Sequence, residues 1–260
     1  MTTHLRTLAG AAALVAGLWF LSPAGGAPPA LPPGTYKKAA EADLAFLQNR
    51  LGELAALPAE DVKDAKRKPA VTAAMTLAAY GEALGDKDLT DNALKVAAAV
   101  IKKDVKGAAD MGKKLAIKPG TPGKGEMPKL DKFDVELAMT AMRNEKTGGL
   151  NIEKDIKDMI SQKDPKPVKP AEVELLATRA AVMMDYAGGL GYDDKFPSGL
   201  PANKQNKELW TKWMKESVEL TRQIAEEAGK PKADEKKLLT MLKTLDGKCY
   251  ECHNKFRFEP

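Results

Sequence analysis

The pentapeptide Cys249-Tyr250-Glu251-Cys252-His253 constrains this chain more than any other feature. It contains both cysteines of the 260-residue sequence and one of its two histidines, the other being His4. Two thiols separated by two residues and followed directly by an imidazole form the attachment pattern of a c-type haem. The thiols add across the vinyl groups of the porphyrin, and the imidazole coordinates the iron from one face. The motif therefore predicts one covalent haem c, attached through Cys249 and Cys252, with His253 as the proximal iron ligand.

Three other interpretations of the pentapeptide are weaker. A structural zinc ion takes about four Cys or His ligands, and apart from His4 the chain has only these three. A redox-active CxxC pair is expected beside alternating strands and helices, whereas the sequence before Cys249 has helical periodicity. A disulfide between two cysteines three residues apart on a helix would be strained. We therefore prefer the haem interpretation.

The N-terminus has the pattern of an export signal. Arg6 precedes an uncharged apolar run from Leu8 to Leu21, and small residues follow as far as Ala27. We predict a signal peptide over residues 1–27 and a location in a bacterial periplasm. The apolar run is short for a bilayer-spanning helix, and an uncleaved anchor is the alternative. We expect no membrane span in the mature chain, because no later segment is apolar for long enough.

The charge pattern argues against a nucleic-acid partner. The formal net charge is +5, and lysines alternate with acidic residues, as in 154–158. This is typical of a solvated helix face. A nucleic-acid-binding chain would instead have clustered Lys and Arg with exposed aromatic residues. Lysines near a haem edge could steer an acidic redox protein toward it, so we expect a redox partner protein or a small gas ligand.

Proline and glycine divide the chain into two helical modules. The clearest internal break is Lys118–Gly125, which contains two prolines and three glycines. Before it, apolar residues recur at spacings of three and four, which predicts about three helices, at about 36–57, 59–84 and 89–115. We predict a linker over residues 28–35, a helical module without haem over 36–118, a second linker over 119–129 and a haem module over 130–260.

The second module is predicted to be an antiparallel four-helix bundle. Its first helix, about 131–145, is followed by a break at Gly148-Gly149, after which the apolar pattern resumes. The next two helices are predicted from about Val173 to Leu190 and from about 203 to 228, the latter with Leu209, Trp213, Leu220 and Ile224 toward the core. The last helix has an apolar stripe in steps of four and three, formed by Leu238, Leu242, Leu245, Cys249, Cys252 and Phe256. Both cysteines are therefore predicted to lie on its buried face.

From about residue 129 to Arg257, the chain resembles the cytochrome c′ and cytochrome c-556 family, the class II c-type cytochromes. The resemblance rests on Cys249–Arg257, which matches a C-terminal CxxCHxxFR pattern, and on the helix that begins Glu208-Leu209-Trp210 and continues to Trp213. It implies a covalent haem with His253 as the proximal ligand. Trp213, Phe256 and Arg257 are the candidate residues of the haem pocket, and Arg257 is a candidate partner for a haem propionate.

The distal side of the iron is the open question. Members of this family carry either a methionine ligand or an apolar residue on the first bundle helix, and here that helix offers Met139 and Met142. Methionine at helical spacing is also a common core residue, so both interpretations stay open. Bis-histidine ligation within one chain is excluded, because the mature sequence has no second histidine.

The resemblance implies an all-α electron carrier rather than an enzyme. The alternative is a five-coordinate haem protein that binds nitric oxide or carbon monoxide for scavenging or sensing. A peroxidase-like enzyme is less favoured, because the chain offers no distal histidine.

Part of the first module matches part of the second in sequence. Residues Ala74–Gly85 overlay on Ala180–Gly191 without a gap, pairing Tyr80 with Tyr186. Either a degenerate internal repeat or chance similarity between Ala-rich helices explains this match. We expect the first module to act as a scaffold, as a docking module or as a homodimer interface.

Overall fold

The computed structural model describes residues 29–122, 126–190 and 206–256. All regular secondary structure in these residues is helical, which confirms the predicted all-α class. The predicted signal peptide and Arg257 lie outside the described residues. No helix among the described residues is both long and apolar enough to cross a bilayer.

The described residues form nine α-helices and two single-turn 3₁₀ helices. The first half contains α1 (Pro33–Ala55), α2 (Asp64–Leu84), α3 (Lys87–Ile101) and α4 (Val105–Gly112). The second half contains α5 (Val135–Thr140), α6 (Ile152–Ile160), α7 (Pro170–Leu190), α8 (Lys207–Ala228) and α9 (Glu235–Phe256). The 3₁₀ turns are Ala59–Asp61 and Glu145–Thr147.

The third predicted helix is divided into α3 and α4, contrary to the sequence expectation. Lys103 adopts the left-handed conformation, with φ of 67°. Its N–H donates to the Val100 carbonyl at 3.1 Å and the Asp104 N–H to the Ala99 carbonyl at 2.9 Å, which is the hydrogen-bond pattern of a Schellman end. Asp104 then begins α4 by accepting a hydrogen bond from the Gly107 N–H at 3.0 Å. Lys103 therefore takes the left-handed position that glycine usually occupies at the end of a helix. Because this residue is not a glycine, the sequence does not indicate the break.

The first helix of the second half is much shorter than predicted, although the break at Gly148-Gly149 is confirmed. Gly148 has φ of 97°, a conformation that favours glycine. A Cβ on Gly149 would lie 1.9 Å from the Arg143 carbonyl oxygen, so the chain could not turn back so closely with any other residue there. The Asn144 side chain accepts a hydrogen bond from the Lys146 N–H at 2.8 Å. These contacts turn the chain between α5 and α6.

The prediction for the buried face of α8 is correct in part. Ile224 is buried as predicted, and Leu209, Trp213 and Leu220 pack against the core at the margin of this face, where they are only half-buried. Trp210 and Met214, which were not predicted, are the more deeply buried residues. The physical reason is the contact with α7, because the Trp210 indole N–H donates to a main-chain carbonyl of α7 at 3.3 Å. That hydrogen bond satisfies the only polar atom of a buried tryptophan side chain.

Each half has its helices packed in the same cyclic order. In the first half α1 contacts α2 and α4, and α3 contacts α2 and α4. In the second half α7 contacts α5, α6 and α8, while α9 contacts α6 and α8. The α5–α6 segment thus takes the place in its half that α1 takes in the first half.

The two halves share one hydrophobic core, which includes buried residues of both. Helix α1 packs on α7, and α2 packs on both α5 and α7. The two segments predicted as linkers also pack against the body. Leu31 is buried, and the Gly120 N–H donates to the Leu84 carbonyl at 3.0 Å. A Cβ on Gly85, which has φ of 67°, would lie 1.9 Å from the Thr121 carbonyl oxygen.

A buried ion pair connects the halves. Asp43 on α1 has no exposed surface, and its Oδ1 accepts a hydrogen bond from Arg179 Nε on α7 at 2.7 Å. Arg179 Nη2 donates to the same oxygen, and Thr76 Oγ1 on α2 donates to Oδ2 at 3.0 Å. Burial and the Asp43 charge together raise the pKa of the adjacent Tyr80. Three helices are therefore linked through one carboxylate.

We expect Arg179→Ala to lower the free energy of unfolding by about 3–5 kcal/mol, because it leaves the Asp43 carboxylate buried without its cation. Urea denaturation followed by circular dichroism measures the change. Lys87→Ala, which breaks the exposed Lys87–Asp91 pair, is the matched control and should change stability far less, because solvent screens an exposed ion pair. A loss below about 1 kcal/mol in Arg179→Ala would contradict the role given to this pair.

The Asp185 carboxylate on α7 is partly buried, and one of its oxygens has no partner. Its Oδ2 has no hydrogen bond among the described residues, and burial raises the pKa of Asp185 to about 6. Because this pKa exceeds the unfolded value of about 3.9, the folded state binds the proton more tightly. The contribution of Asp185 to stability is therefore most favourable below about pH 4 and is lost as the pH rises through 6.

We expect Asp185→Asn to be about 2 kcal/mol more stable than the natural chain at pH 8, with the difference vanishing near pH 4. Urea denaturation at both pH values measures it. Asp110→Asn on the exposed side of α4 is the control and should change stability by less than about 0.5 kcal/mol. Equal stability of Asp185→Asn and the natural chain at pH 8 would show that the ionised carboxylate is not destabilising.

Candidate haem site

The pentapeptide lies in the last turns of α9. Its two cysteines lie on the face predicted from the spacing of the apolar residues. That face is buried at Leu238, Leu242, Leu245, Cys252 and Phe256, and Cys249 is half-buried on the same side. The apolar stripe therefore continues through both thiols, as the sequence predicted. Burial of this face against the rest of the second half fixes the direction in which the motif points.

The turn before α9 fixes where this helix begins. Asp234 accepts a hydrogen bond from the Lys237 N–H at 3.0 Å, which caps the first turn. Glu227, near the end of α8, accepts hydrogen bonds from the ammonium groups of Lys230 and Lys237. These two hydrogen bonds lower the pKa of Glu227 to about 2. The carboxylate is thus ionised at neutral pH and holds the end of α8 to the start of α9.

Both thiols are free and protonated at neutral pH. No disulfide joins Cys249 to Cys252. Burial raises the pKa of each thiol to about 12, and the nearby Glu153 carboxylate adds to the effect at Cys249. Redox-active CxxC pairs depend on a thiol pKa lowered by their surroundings. The surroundings of Cys249 and Cys252 raise the thiol pKa instead of lowering it. They therefore do not favour redox activity of these two cysteines.

The imidazole of His253 lies at the edge of the buried face and is about one-third exposed, at 31%. Its Nε2 is 3.4 Å from Glu153 Oε1 in the first turn of α6. Helix α6 therefore covers this part of α9, whereas α5 packs on α7. Periodicity alone could not reveal the approach of Glu153, since it depends on how α6 and α9 pack.

The two candidate distal methionines lie in different surroundings. Met142 is buried, and its carbonyl accepts a hydrogen bond from the Glu153 N–H at 2.8 Å. Met139, on α5, is only half-buried. Glu153 also approaches His253. Glu153 therefore connects the backbone of Met142 to the motif. The structure gives Met139 no comparable connection.

An aromatic cluster surrounds the end of α9. The Phe256 ring packs edge-on against Trp210, with centroids 5.3 Å apart, and against Trp213, at 5.6 Å. Phe256 follows Cys252 by one helical turn, so the cluster lies beside the second thiol. The sequence indicated Trp213 and Phe256 as pocket residues but missed the more deeply buried Trp210 as the third member.

The side chains present fit covalent haem attachment. Two unpaired thiols lie one turn apart on one side of a helix, the adjacent imidazole is partly accessible, and the surroundings are apolar and aromatic. A haem needs only one nitrogen from these residues as an iron ligand. Among the described residues, no three His, Cys, Asp or Glu side chains come together in a way that could hold a metal ion.

Comparison with known proteins adds no relative. No protein-family model matches the chain, and no curated protein or solved structure matches it significantly. The resemblance to class II c-type cytochromes therefore depends on the CxxCHxxFR pattern and the helix that begins at Glu208, and it stays a prediction.

Proposed function

We propose that this chain is an exported monohaem c-type cytochrome that transfers electrons through a haem bound to Cys249 and Cys252. The observation that carries the proposal is the continuity of the apolar stripe of α9 through both thiols. A chance CxxCH sequence would have no reason to keep this phase. The adjacent His253 imidazole then points from the margin of the same face, where it could coordinate an iron lying along the helix.

The helix packing supports a four-helix bundle around this haem. The α5–α6 segment, α7, α8 and α9 form a closed cycle of contacts, as expected for an up-and-down bundle. In this arrangement α6 and α8 are the two neighbours of α9. A haem on the thiol-bearing face of α9 would therefore lie between the first turn of α6 and the aromatic cluster of α8.

The proposed roles of the side chains follow from their surroundings. A bound haem would supply a one-electron iron couple whose potential depends on the axial ligands and on burial. Cys249 and Cys252 would hold it covalently, and His253 would be its proximal ligand. Trp210 and Phe256 would exclude water beside the second thiol. Glu153, now close to His253 Nε2, would have to move aside for the iron.

We propose further that the first half is a degenerate copy of the second, without a haem. The overlay of Ala74–Gly85 on Ala180–Gly191 extends to both ends of α2 and α7, which are each 21 residues long. Tyr80 packs on Tyr36 at the start of the first half, and Tyr186 packs on Phe133 at the start of the second. The shared core indicates that the first half acts as a scaffold for the second.

We expect Cys249→Ala and Cys252→Ala, each made singly in the exported chain, to reduce haem attachment from two thioethers to one. The double variant should lose covalent haem completely. Haem-specific staining after denaturing electrophoresis and the ferrous pyridine haemochrome spectrum measure these changes, since the band position reports the number of thioethers. Lys248→Ala, next to the motif, is the control and should keep full attachment. Unchanged haem in the double variant would refute the proposed function.

We expect Met142→Leu to convert a low-spin haem into a high-spin one, and Met139→Leu to leave the spectrum unchanged. The reduction potential of Met142→Leu should fall by on the order of 0.1 V, since axial ligands set the potential over a range of about 0.8 V. Absorption spectra in both oxidation states and redox titration measure these effects. A natural chain that is already high-spin and unaffected by either substitution would favour the five-coordinate gas-binding alternative.

A further inference from the structure

A small cavity lies where the segment before α5 meets the last turns of α7. Its volume is about 80 Å³, and its walls include Met127, Leu130, Phe133, Asp185 and Tyr186. Phe133 and Tyr186 pack edge-to-face with centroids 5.2 Å apart. Among the described residues, the wall of the cavity is therefore mainly apolar and aromatic, with a single carboxylate. It is separate from the CxxCH motif, which lies at the end of α9.

One oxygen of the Asp185 carboxylate has no hydrogen-bond donor. Its Oδ2 is buried and has no partner among the described residues. Burial and, to a smaller extent, the Asp185 charge raise the pKa values of Tyr36 and Tyr186. Neither tyrosine supplies a donor, because the Tyr36 hydroxyl donates to the Pro29 carbonyl and the Tyr186 hydroxyl to the Met75 carbonyl. A buried polar atom without a partner is rare in proteins and points to a missing donor.

The charge of Asp185 is not balanced by the lysine in the cavity wall. Lys129 also lines the cavity, but its ammonium pairs with Glu126 at 3.1 Å, where both side chains are more than three-quarters exposed. The stem of Lys129 thus borders the cavity while its charge faces solvent. The cavity wall therefore keeps a net negative charge from Asp185.

A second cavity, of about 160 Å³ beside α6 and α7, does not have this property. Its charged residues already pair with each other or with Asp43: Lys166 lies 3.4 Å from Asp155 and 3.3 Å from Glu172, and Arg179 binds Asp43. Of these two cavities, only the one at Asp185 has a carboxylate without an ion pair among the described residues.

We propose that the cavity at Asp185 binds a small primary alkylammonium ion. The ammonium would donate to the Asp185 carboxylate, which lines the cavity, and the alkyl group would contact the apolar wall at Met127 and Leu130. The rings of Phe133 and Tyr186 would add cation–π attraction where they face the ammonium. A metal cation fits less well, because hard cations take about six or more oxygen ligands and the wall offers one carboxylate. This inference does not depend on the proposed haem.

Ethylammonium is a suitable probe because its three non-hydrogen atoms suit the cavity volume. The upper limit of affinity for a ligand of three non-hydrogen atoms corresponds to a dissociation constant on the order of 1 mM. Ethylammonium chloride would be titrated into the full-length protein with ¹³C-labelled methionine methyl groups, at constant ionic strength. We expect the Met127 methyl resonance to shift and saturate.

Three comparisons decide the outcome. Asp185→Asn, which keeps the shape of the side chain, should weaken binding at least tenfold, whereas Asp110→Asn should leave it unchanged. Leu130→Phe, which fills the cavity and keeps the carboxylate, should also weaken binding at least tenfold. Sodium chloride and ethanol should produce no saturable shift. Circular dichroism of each variant checks that it folds.

Contrary results would overturn the proposal in distinct ways. Equal binding to Asp185→Asn would show that the carboxylate is not the receptor. A saturable shift with ethanol would show that the positive charge is not recognised, and one with sodium chloride would show that the site prefers an inorganic cation. Absence of any shift of the Met127 resonance up to about 50 mM ethylammonium would show that the cavity binds no such ion.

Discussion

Burial of one face of α9 is the constraint on which the candidate site depends. An α-helix turns by 100° per residue, so a run in steps of four and three keeps its members within one narrow stripe. Leu238, Leu242 and Leu245 set the phase of that stripe, and Cys252 and Phe256 continue it into the core. The orientation of the thiols and of the adjacent imidazole thus follows from hydrophobic burial some three turns earlier. A one-residue insertion between the leucines and the motif would rotate the cysteines toward solvent.

The second half depends on the first, because polar side chains of α7 have their partners on α1. Three of its polar residues, Glu174, Arg179 and Asp185, face partners or neighbours from the first half: Lys38 Nζ is 3.0 Å from Glu174, Asp43 binds Arg179, and Tyr36 is close to Asp185. Separated from α1, this helix would expose a guanidinium and two carboxylates at an otherwise apolar surface. The first half therefore completes the environment of a helix that packs on both α8 and the α5–α6 segment.

The sequence was most informative where structure follows from local periodicity or from glycine. The phase of α9, the extent of α7 and the break at Gly148-Gly149 were all predicted correctly. It was less informative in two places. The burial of Trp210 depends on a long-range hydrogen bond to α7, and a left-handed Lys103 ends α3 without a glycine. The Asp43–Arg179 pair and the approach of Glu153 to His253 leave no local signal, since each joins residues far apart in the chain.

The loop between α5 and α6 is where the chemistry of the iron would be decided. Three main-chain hydrogen bonds hold it in a closed shape: Leu150 to Ala141 at 2.7 Å, Asn151 to Arg143 at 2.9 Å and Glu153 to Met142 at 2.8 Å. The last of these fixes Met142 to the same turn of α6 that approaches His253. Of the two candidate methionines, Met142 is joined to α6 through its backbone, whereas Met139 is half-buried on α5. A main-chain hydrogen bond fixes the backbone but leaves the three side-chain torsions of a methionine free. The position of the sulfur relative to an iron therefore depends on side-chain packing, and this is what substitution of each methionine compares.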